Sequence, residues 1–277
     1  MRYQPLALKI NLKENKMKKF KNFIDKFEDN HIYYNDFDFV TNSQLNWINK
    51  SPLVYKMYRD NPHMRQETPA LMFGRAFHLC ILEPERFVEE VMEYPEVNRR
   101  TKDGRETIAN FEKENKGKVL LKTEDMNSIL RMRNKIYSYE ECDTLLNSGG
   151  VAEQVSVWED EDTNVLCKCK ADYVNLEEGY IVDIKTTIDA HPDKFSYTMR
   201  KYGYDKQSAF YSDAFGVKDF YFIVIEKTNP YNIGVYKCSE ETMNTGRIKY
   251  KNLLCVYKDY FIEKNYEIES FLWQREI

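Results

Sequence analysis

The sequence predicts an α/β domain: a central mixed β-sheet, largely a meander, flanked by helices. Three observations carry this. Residues 151–186 alternate in β-rich runs broken by polar turns. Apolar residues at helical spacing lie on either side of those runs. Hydrophobic residues make up 42% of the 277, enough for a sizeable core.

Each element follows from local chemistry. Thr41 or Ser43 caps a helix expected to reach Asp60, with Pro52 dividing it. From Pro69 to Leu82 the apolar positions Leu71, Met72, Ala76, Phe77 and Ile81 describe a second helix. Met126, Ile129, Leu130, Met132 and Ile136 predict one long helix from Thr123 to Leu146, ended by Gly149-Gly150. Strands are expected at Val151 to Trp158, Val165 to Val174 and Tyr180 to Thr186, with acidic turns between them. Tyr204 to Phe215 returns to helical spacing. Two more strands, Phe220 to Glu226 and Ile233 to Cys238, precede a last helix from Ser239 to about Lys264. Residues 1–32 form an expected N-terminal appendage, Lys-rich around Lys16, Lys18, Lys19 and Lys21, in which Met17 is a second candidate start. Residues 33–277 are read as a single domain.

Composition excludes several classes. With 42% hydrophobic residues the chain is not wholly disordered. No apolar run approaches the roughly 18 residues of a membrane helix, and no cleavable signal pattern opens the chain. A cytoplasmic location is expected. Cys167 and Cys169 form C-x-C within a strand, and the six cysteines show no zinc or iron–sulfur spacing. Net charge is −4, yet residues 99–135 hold 11 Lys/Arg against 6 Asp/Glu. A chain with that balance can bind a polyanion only through a local basic surface. Arg99, Arg100, Lys102 and Arg105, expected on a loop, are candidates, together with Arg75.

The chemistry concentrates in two strands. In Ile181-Val-Asp-Ile-Lys-Thr-Thr, side chains alternate, so Asp183 and Lys185 share a face while Val182 and Ile184 face a core. Asp172 lies on the preceding strand, where a hairpin brings it beside Asp183. Two carboxylates suit Mg²⁺, a hard cation that leaves positions for water and phosphate. Such a cation activates water and offsets phosphate charge, while the lysine orients or deprotonates the water. A lone Asp-x-Lys is more often a solvated ion pair; the paired Asp172 is what weighs against that. Gly74 and His78 sit one helical turn apart, as do Gln207 and Tyr211. Each pair has an ordinary reading, helix packing or a surface pair. Glu153 reads equally as a strand-edge carboxylate or a site residue.

The order G-x-x-x-H, E, D, D-x-K, Q-x-x-x-Y resembles the RecB/RecE branch of the PD-(D/E)XK nucleases. Gly74-Arg-Ala-Phe-His78 before Leu82-Glu-Pro-Glu-Arg-Phe87, and Val182-Asp-Ile-Lys-Thr-Thr187 before Tyr204-Asp-Lys-Gln207, resemble the RecE-like phage exonucleases. Ser43-Gln-Leu and Ser51-Pro52 also fit, and the resemblance spans about residues 33–270. Ala171 stands where the family name has Pro, and Asp183 where it allows Glu.

The resemblance implies a PD-(D/E)XK core in which His78, Asp172 and Asp183 ligate Mg²⁺, with Mn²⁺ able to substitute. It makes Lys185 the catalytic lysine, Gln207 and Tyr211 its supports, and Glu153 the acidic residue before the hairpin. It implies 5′ to 3′ digestion of linear double-stranded DNA, leaving 3′ single strands. It also implies a homo-oligomeric ring, a single-strand annealing protein as partner, and the cytoplasm of a bacterial host cell. The alternatives are the same core acting on single-stranded ends, and a catalytically silent DNA-binding scaffold. A chelator-sensitive nuclease assay separates them.

Overall fold

The computed structural model describes residue 21, residues 23–65 and residues 67–268. The Lys-rich stretch before Lys21, with Met17, lies outside the described residues. A helical prelude runs through α1 (Asn30–Asn35), α2 (Asn42–Lys50), α3 (Pro52–Asp60), α4 (Pro69–Leu82) and α5 (Pro84–Glu90). Next come β1 (Val91–Glu93), α6 (Lys102–Glu114), β2 (Val119–Leu121), α7 (Thr123–Tyr137) and α8 (Glu140–Asn147). The main sheet is built from β3 (Val151–Glu159), β4 (Leu166–Asn175), β5 (Tyr180–Thr187), β6 (Asp219–Glu226) and β7 (Ile233–Lys237). Helices α9 (Pro192–Tyr202) and α10 (Tyr204–Phe215) cross from β5 to β6, and α11 (Glu240–Tyr257) follows the sheet.

The five strands lie in sequence order, β3-β4-β5-β6-β7. All neighbours are antiparallel except β5 and β6, which the helical crossover makes parallel. The sheet is therefore mixed, as expected. β1 and β2 pair separately as a short parallel ribbon.

Both faces of the sheet are covered. On one, Val182, Ile184, Ile223 and Ile225 pack with Phe77 of α4 and Ile129 and Met132 of α7. On the other, Ile181, Phe220, Phe222 and Val224 pack with Phe195 of α9. Beside that layer, Phe210 of α10 meets Leu45, Tyr55, Tyr250 and Leu254. Among the described residues no helix is long and apolar enough to cross a membrane.

Several expectations need correction. The expected break at Pro52 is complete: Ser51 ends α2, caps α3 by accepting from Val54 N, and is followed by Pro52 in the first turn of α3. The long helix from Thr123 divides at Ser138, and the final helix ends at Tyr257, continuing as a π-helical turn to Ile262. The loop expected around Arg99 closes at Thr101, which caps α6 by accepting from Gly104 N. Lys102 and Arg105 are thus helical, and α6 fully buries only Gly104, with Ile108 and Phe111 half-buried. The packed body also begins before residue 33. Phe27 is buried with Tyr33, Phe39, Val155 and Val157. Buried Lys168 ties that segment down, donating to Tyr33 O at 2.7 Å and Asp36 O at 2.8 Å.

Helix α10 is seated on α11 at closest range. A Cβ at Gly246 would stand 1.9 Å from Asp205 O and 3.1 Å from Ala209 Cβ. Gly246→Ala is therefore expected to push α10 outward and cost about 1–3 kcal/mol. Denaturant midpoints of the two proteins measure this; equal midpoints would show that the helices can separate freely.

Candidate active site

The site begins as a fork in the sheet. β4 and β5 pair only at Tyr173–Val182, Val174–Ile181 and Asn175–Tyr180. Beyond that point β5 leaves, and Val40 takes its place beside β4: Val40 N donates to Leu166 O, and Lys168 N donates to Val40 O. Between the two pairings the strands stand apart, and a cleft of about 400 Å³ opens there. Asp172 and Asp183 face each other where the ladder ends. At Asp172 the strand alternation also slips: Ala171 packs on the α10 side, while Tyr173 packs in the opposite layer. On the β3 side Glu153 lies opposite Asp172, between the pairs Ala152–Tyr173 and Gln154–Ala171. Its φ of 53° is left-handed, a conformation that costs a side-chain-bearing residue about 1 kcal/mol.

Hydrogen bonds fix the fork. Ile184 N donates to Asp172 Oδ2 at 2.8 Å. From α4, His78 Nε2 donates to Ile184 O at 2.7 Å and lies 3.6 Å from Asp172 Oδ2. Asp183, 1% exposed, accepts from Gln207 Nε2 at 2.6 Å through Oδ2 and is ion-paired with Lys185 through Oδ1. That Oδ1 makes no well-formed hydrogen bond despite its burial. Lys185 Nζ also stands 4.9 Å from the centre of the Tyr204 ring. Tyr211, one turn beyond Gln207, packs into both layers behind the cleft.

Electrostatics follow from this crowding. Burial, opposed by Lys185 and reinforced by Asp172, pushes Asp183 up to about 6. Burial and then Asp172 push Glu153 up to about 7. Burial alone would drive the Lys185 ammonium down, but Asp183 and Asp172 hold it above the ordinary lysine value. Lys185 is therefore a cation at neutral pH, suited to orienting water and holding a phosphate, and not to taking a proton. Burial pushes the Tyr211 phenol well up, so it stays protonated.

The predicted residues separate into three groups. His78, Glu153, Asp172, Lys185, Gln207 and Tyr211 line one cleft, with Asp183 at its floor. Arg75 lines an adjoining cavity and is engaged by Glu67 and Glu90. Arg99, Arg100, Lys102 and Arg105 line neither cavity; Arg99 lies over the Tyr94 ring and Arg105 donates to Arg100 O. A Cβ at Gly74 would meet nothing within 4 Å, so close packing does not explain that glycine. Sequence reasoning missed the peptide of Ile184, which has no side-chain signal. It also missed Tyr34, Arg65 and Lys170, which line the cleft without any spacing that marks them.

Carboxylate and carbonyl oxygens at Asp172, Asp183 and Ile184 suit a hard cation, which needs only one or two carboxylates besides water and phosphate. The buried Asp183 Oδ1 is met only by the Lys185 ammonium and is an atom that such a cation would also engage. Among the described residues no three His, Cys, Asp or Glu side chains stand close enough to enclose an ion. Asp183 is turned instead toward Lys185 and Gln207.

The family model described as "PDDEXK-like domain of unknown function (DUF3799)" matches residues 41–266. The chain belongs to this PDDEXK-like family. The fold is similar to the crystal structure of a candidate exonuclease from Eubacterium rectale, at 15% identity and a TM-score of 0.53, over 87% of this chain and 91% of that one. A phage-related exonuclease from Haemophilus somnus 129PT matches at 11% identity and a TM-score of 0.31, over 65% and 94%, too slight to bear on the site. No curated protein matches.

The raised Glu153 carboxyl gives a pH test. Its folded value, about 7, lies above its ordinary 4.5, so folding takes up a proton between them. Stability is then lost as pH rises through that window. In chelator, Glu153→Gln is expected to raise stability by about 1–3 kcal/mol at pH 8 and to change little at pH 4.5. Unfolding curves at the two pH values check this; an equal effect at both would remove Glu153 from the charged cluster.

Proposed function

We propose that this protein is a divalent-metal-dependent exodeoxyribonuclease of the RecE-like kind. It digests linear double-stranded DNA from 5′ ends and leaves 3′ single strands, which a single-strand annealing protein takes up in recombination. One observation carries the reading: Asp172, Asp183, Lys185 and His78 meet at the mouth of the β4–β5 fork, on an open cleft.

Asp172, Asp183, the Ile184 carbonyl and His78 would hold the cation, Mg²⁺ or in its place Mn²⁺, once Asp183 turned from Lys185 and His78 from the Ile184 carbonyl. When bound, such an ion lowers the pKa of water and offsets the growing charge on the scissile phosphate. Lys185, kept cationic by the two carboxylates, donates to the attacking water or to a phosphoryl oxygen. Its benefit is greatest as charge develops, so it acts on the transition state more than on binding. Gln207 fixes Asp183, and Tyr211 closes the cleft behind it.

Arg99, Arg100, Lys102 and Arg105 would extend the duplex path beyond the cleft. A homo-oligomeric ring around DNA would let a chain of charge −4 stay on its substrate. The intact carboxylate pair and lysine favour catalysis over a silent scaffold, which would not need all three.

Lys185→Ala is expected to fold, bind Mg²⁺ and duplex DNA, and cleave at least about a thousandfold more slowly. Asp183→Asn should lose Mg²⁺ affinity in calorimetric titration, since an amide is the poorer ligand for a hard cation. Near-normal cleavage by Lys185→Ala, or unchanged affinity in Asp183→Asn, would dismiss the assigned roles.

The outlying basic residues are tested separately. Replacing Arg99, Arg100 and Lys102 together by Ala should weaken DNA binding and flatten its dependence on salt, without altering Mg²⁺ affinity. The same salt slope in the triple variant would put the DNA path elsewhere.

A further inference from the structure

The catalytic cleft does not end at His78. A second cavity, of about 810 Å³, adjoins it, and Tyr34, Arg65, His78 and Glu153 line both. Its far wall reaches Gly117, which lies between the exposed Lys116 and Lys118. Neither the carboxylates nor Lys185 explain this second space.

Two residues at the junction have the chemistry of a single-strand site. The first is Tyr34. Its neighbour Tyr33 is buried against Phe27, and the carbonyl of Tyr33 is held by Lys168. One residue on, the Tyr34 ring turns outward and is 59% exposed, set edge-on to Tyr33 with centroids 5.1 Å apart. An aromatic ring left in solvent adds little to folding, yet this one is held in place by a buried partner. Leu71, 60% exposed, lines the same cavity.

The second is Arg65. Its Nε donates to Pro62 O, Nη1 to Tyr34 O and Nη2 to Asn35 Oδ1, all neutral acceptors. The guanidinium lies over the rings of Phe37 and Trp47, at 5.5 and 5.8 Å. Among the described residues no carboxylate forms an ion pair with it. Arg75 and Arg86 in the same cavity differ, being engaged by Glu67, Glu83 and Glu90. Arg65 is therefore a fixed, uncompensated cation whose fork is only partly used. It hydrogen-bonds the backbone of the very residue that presents the exposed ring.

An exposed aromatic beside an oriented cation is how proteins hold unpaired nucleotides: the ring stacks on any base and the cation takes the phosphate. We propose that this second cavity is a single-strand DNA subsite, in which Tyr34 stacks on an unpaired base and Arg65 holds the adjacent phosphate. The strand would run from the fork along the groove toward Lys116 and Lys118. The inference rests on the reading of the protein as a DNA nuclease and adds to it a defined path for one strand beside the scissile bond. Because stacking needs the ring and not the hydroxyl, Tyr34→Phe should behave as the native protein and Tyr34→Ala should not.

The test is binding of a single-stranded oligonucleotide carrying 2-aminopurine, in chelator so that nothing is cut, with thermal stability measured alongside. Native protein and Tyr34→Phe should change the 2-aminopurine emission on binding. Tyr34→Ala, at unchanged stability, should bind about tenfold more weakly and lose the emission change. Arg65→Ala should lower the slope of log affinity against log salt by about 0.7, the effect of one phosphate contact on a single strand. Native affinity and emission in Tyr34→Ala, with the native protein binding normally, would overturn this subsite while leaving the nuclease reading intact. If the native protein binds neither this oligonucleotide nor a duplex, both fall together.

Discussion

The backbone N–H and C=O of Ile184 are the point on which the site depends. Where β4 and β5 part, these two groups have no partner on β4, and a buried backbone group without a partner costs about 1–3 kcal/mol. The chain supplies side chains instead. Asp172 takes the N–H and His78 takes the carbonyl. The same groups that fasten the fork are thus the ones that face the cleft. Sheet geometry and site geometry cannot be changed independently: moving either residue frees a backbone group as well as altering the donor set.

The second constraint is buried charge. Asp183 is almost wholly buried, with Lys185 beside it and Gln207 above. An ion pair at such depth gives little net stability after desolvation. It persists because hydrophobic layers cover both faces of the sheet around it. The raised carboxyls of Asp183 and Glu153 have one origin, burial of like charges near Asp172. Carboxylates gathered this way, at Glu153, Asp172 and Asp183, trade stability for local negative charge.

The sequence was most informative where side chains alternate. Val182 and Ile184 against Asp183 and Lys185 revealed the strand, its buried face and its reactive face together. The crossover helix was legible from Gln207 and Tyr211, and His78 from its helical position after Gly74. What stayed hidden has physical causes. The alternation slip at Asp172 and the left-handed Glu153 are backbone events with no residue code. Helix α6 was missed because it buries little more than a glycine. Phe27 was missed because two of the residues it is buried with, Val155 and Val157, lie more than a hundred residues away. Arg65 and Tyr34 come from loop and short-helix segments, where only the fold decides that both reach the cleft.

These features describe a fork in a mixed sheet whose fastening groups also line the cleft to which the proposed function assigns a cation and a phosphate. The account is tested most directly by digesting a linear duplex labelled at either its 5′ or its 3′ ends, in Mg²⁺ and in chelator. It predicts early release of the 5′ label in Mg²⁺, late release of the 3′ label, and none of either in chelator. Release that persists in chelator, or the absence of release from linear duplex in Mg²⁺, would contradict it.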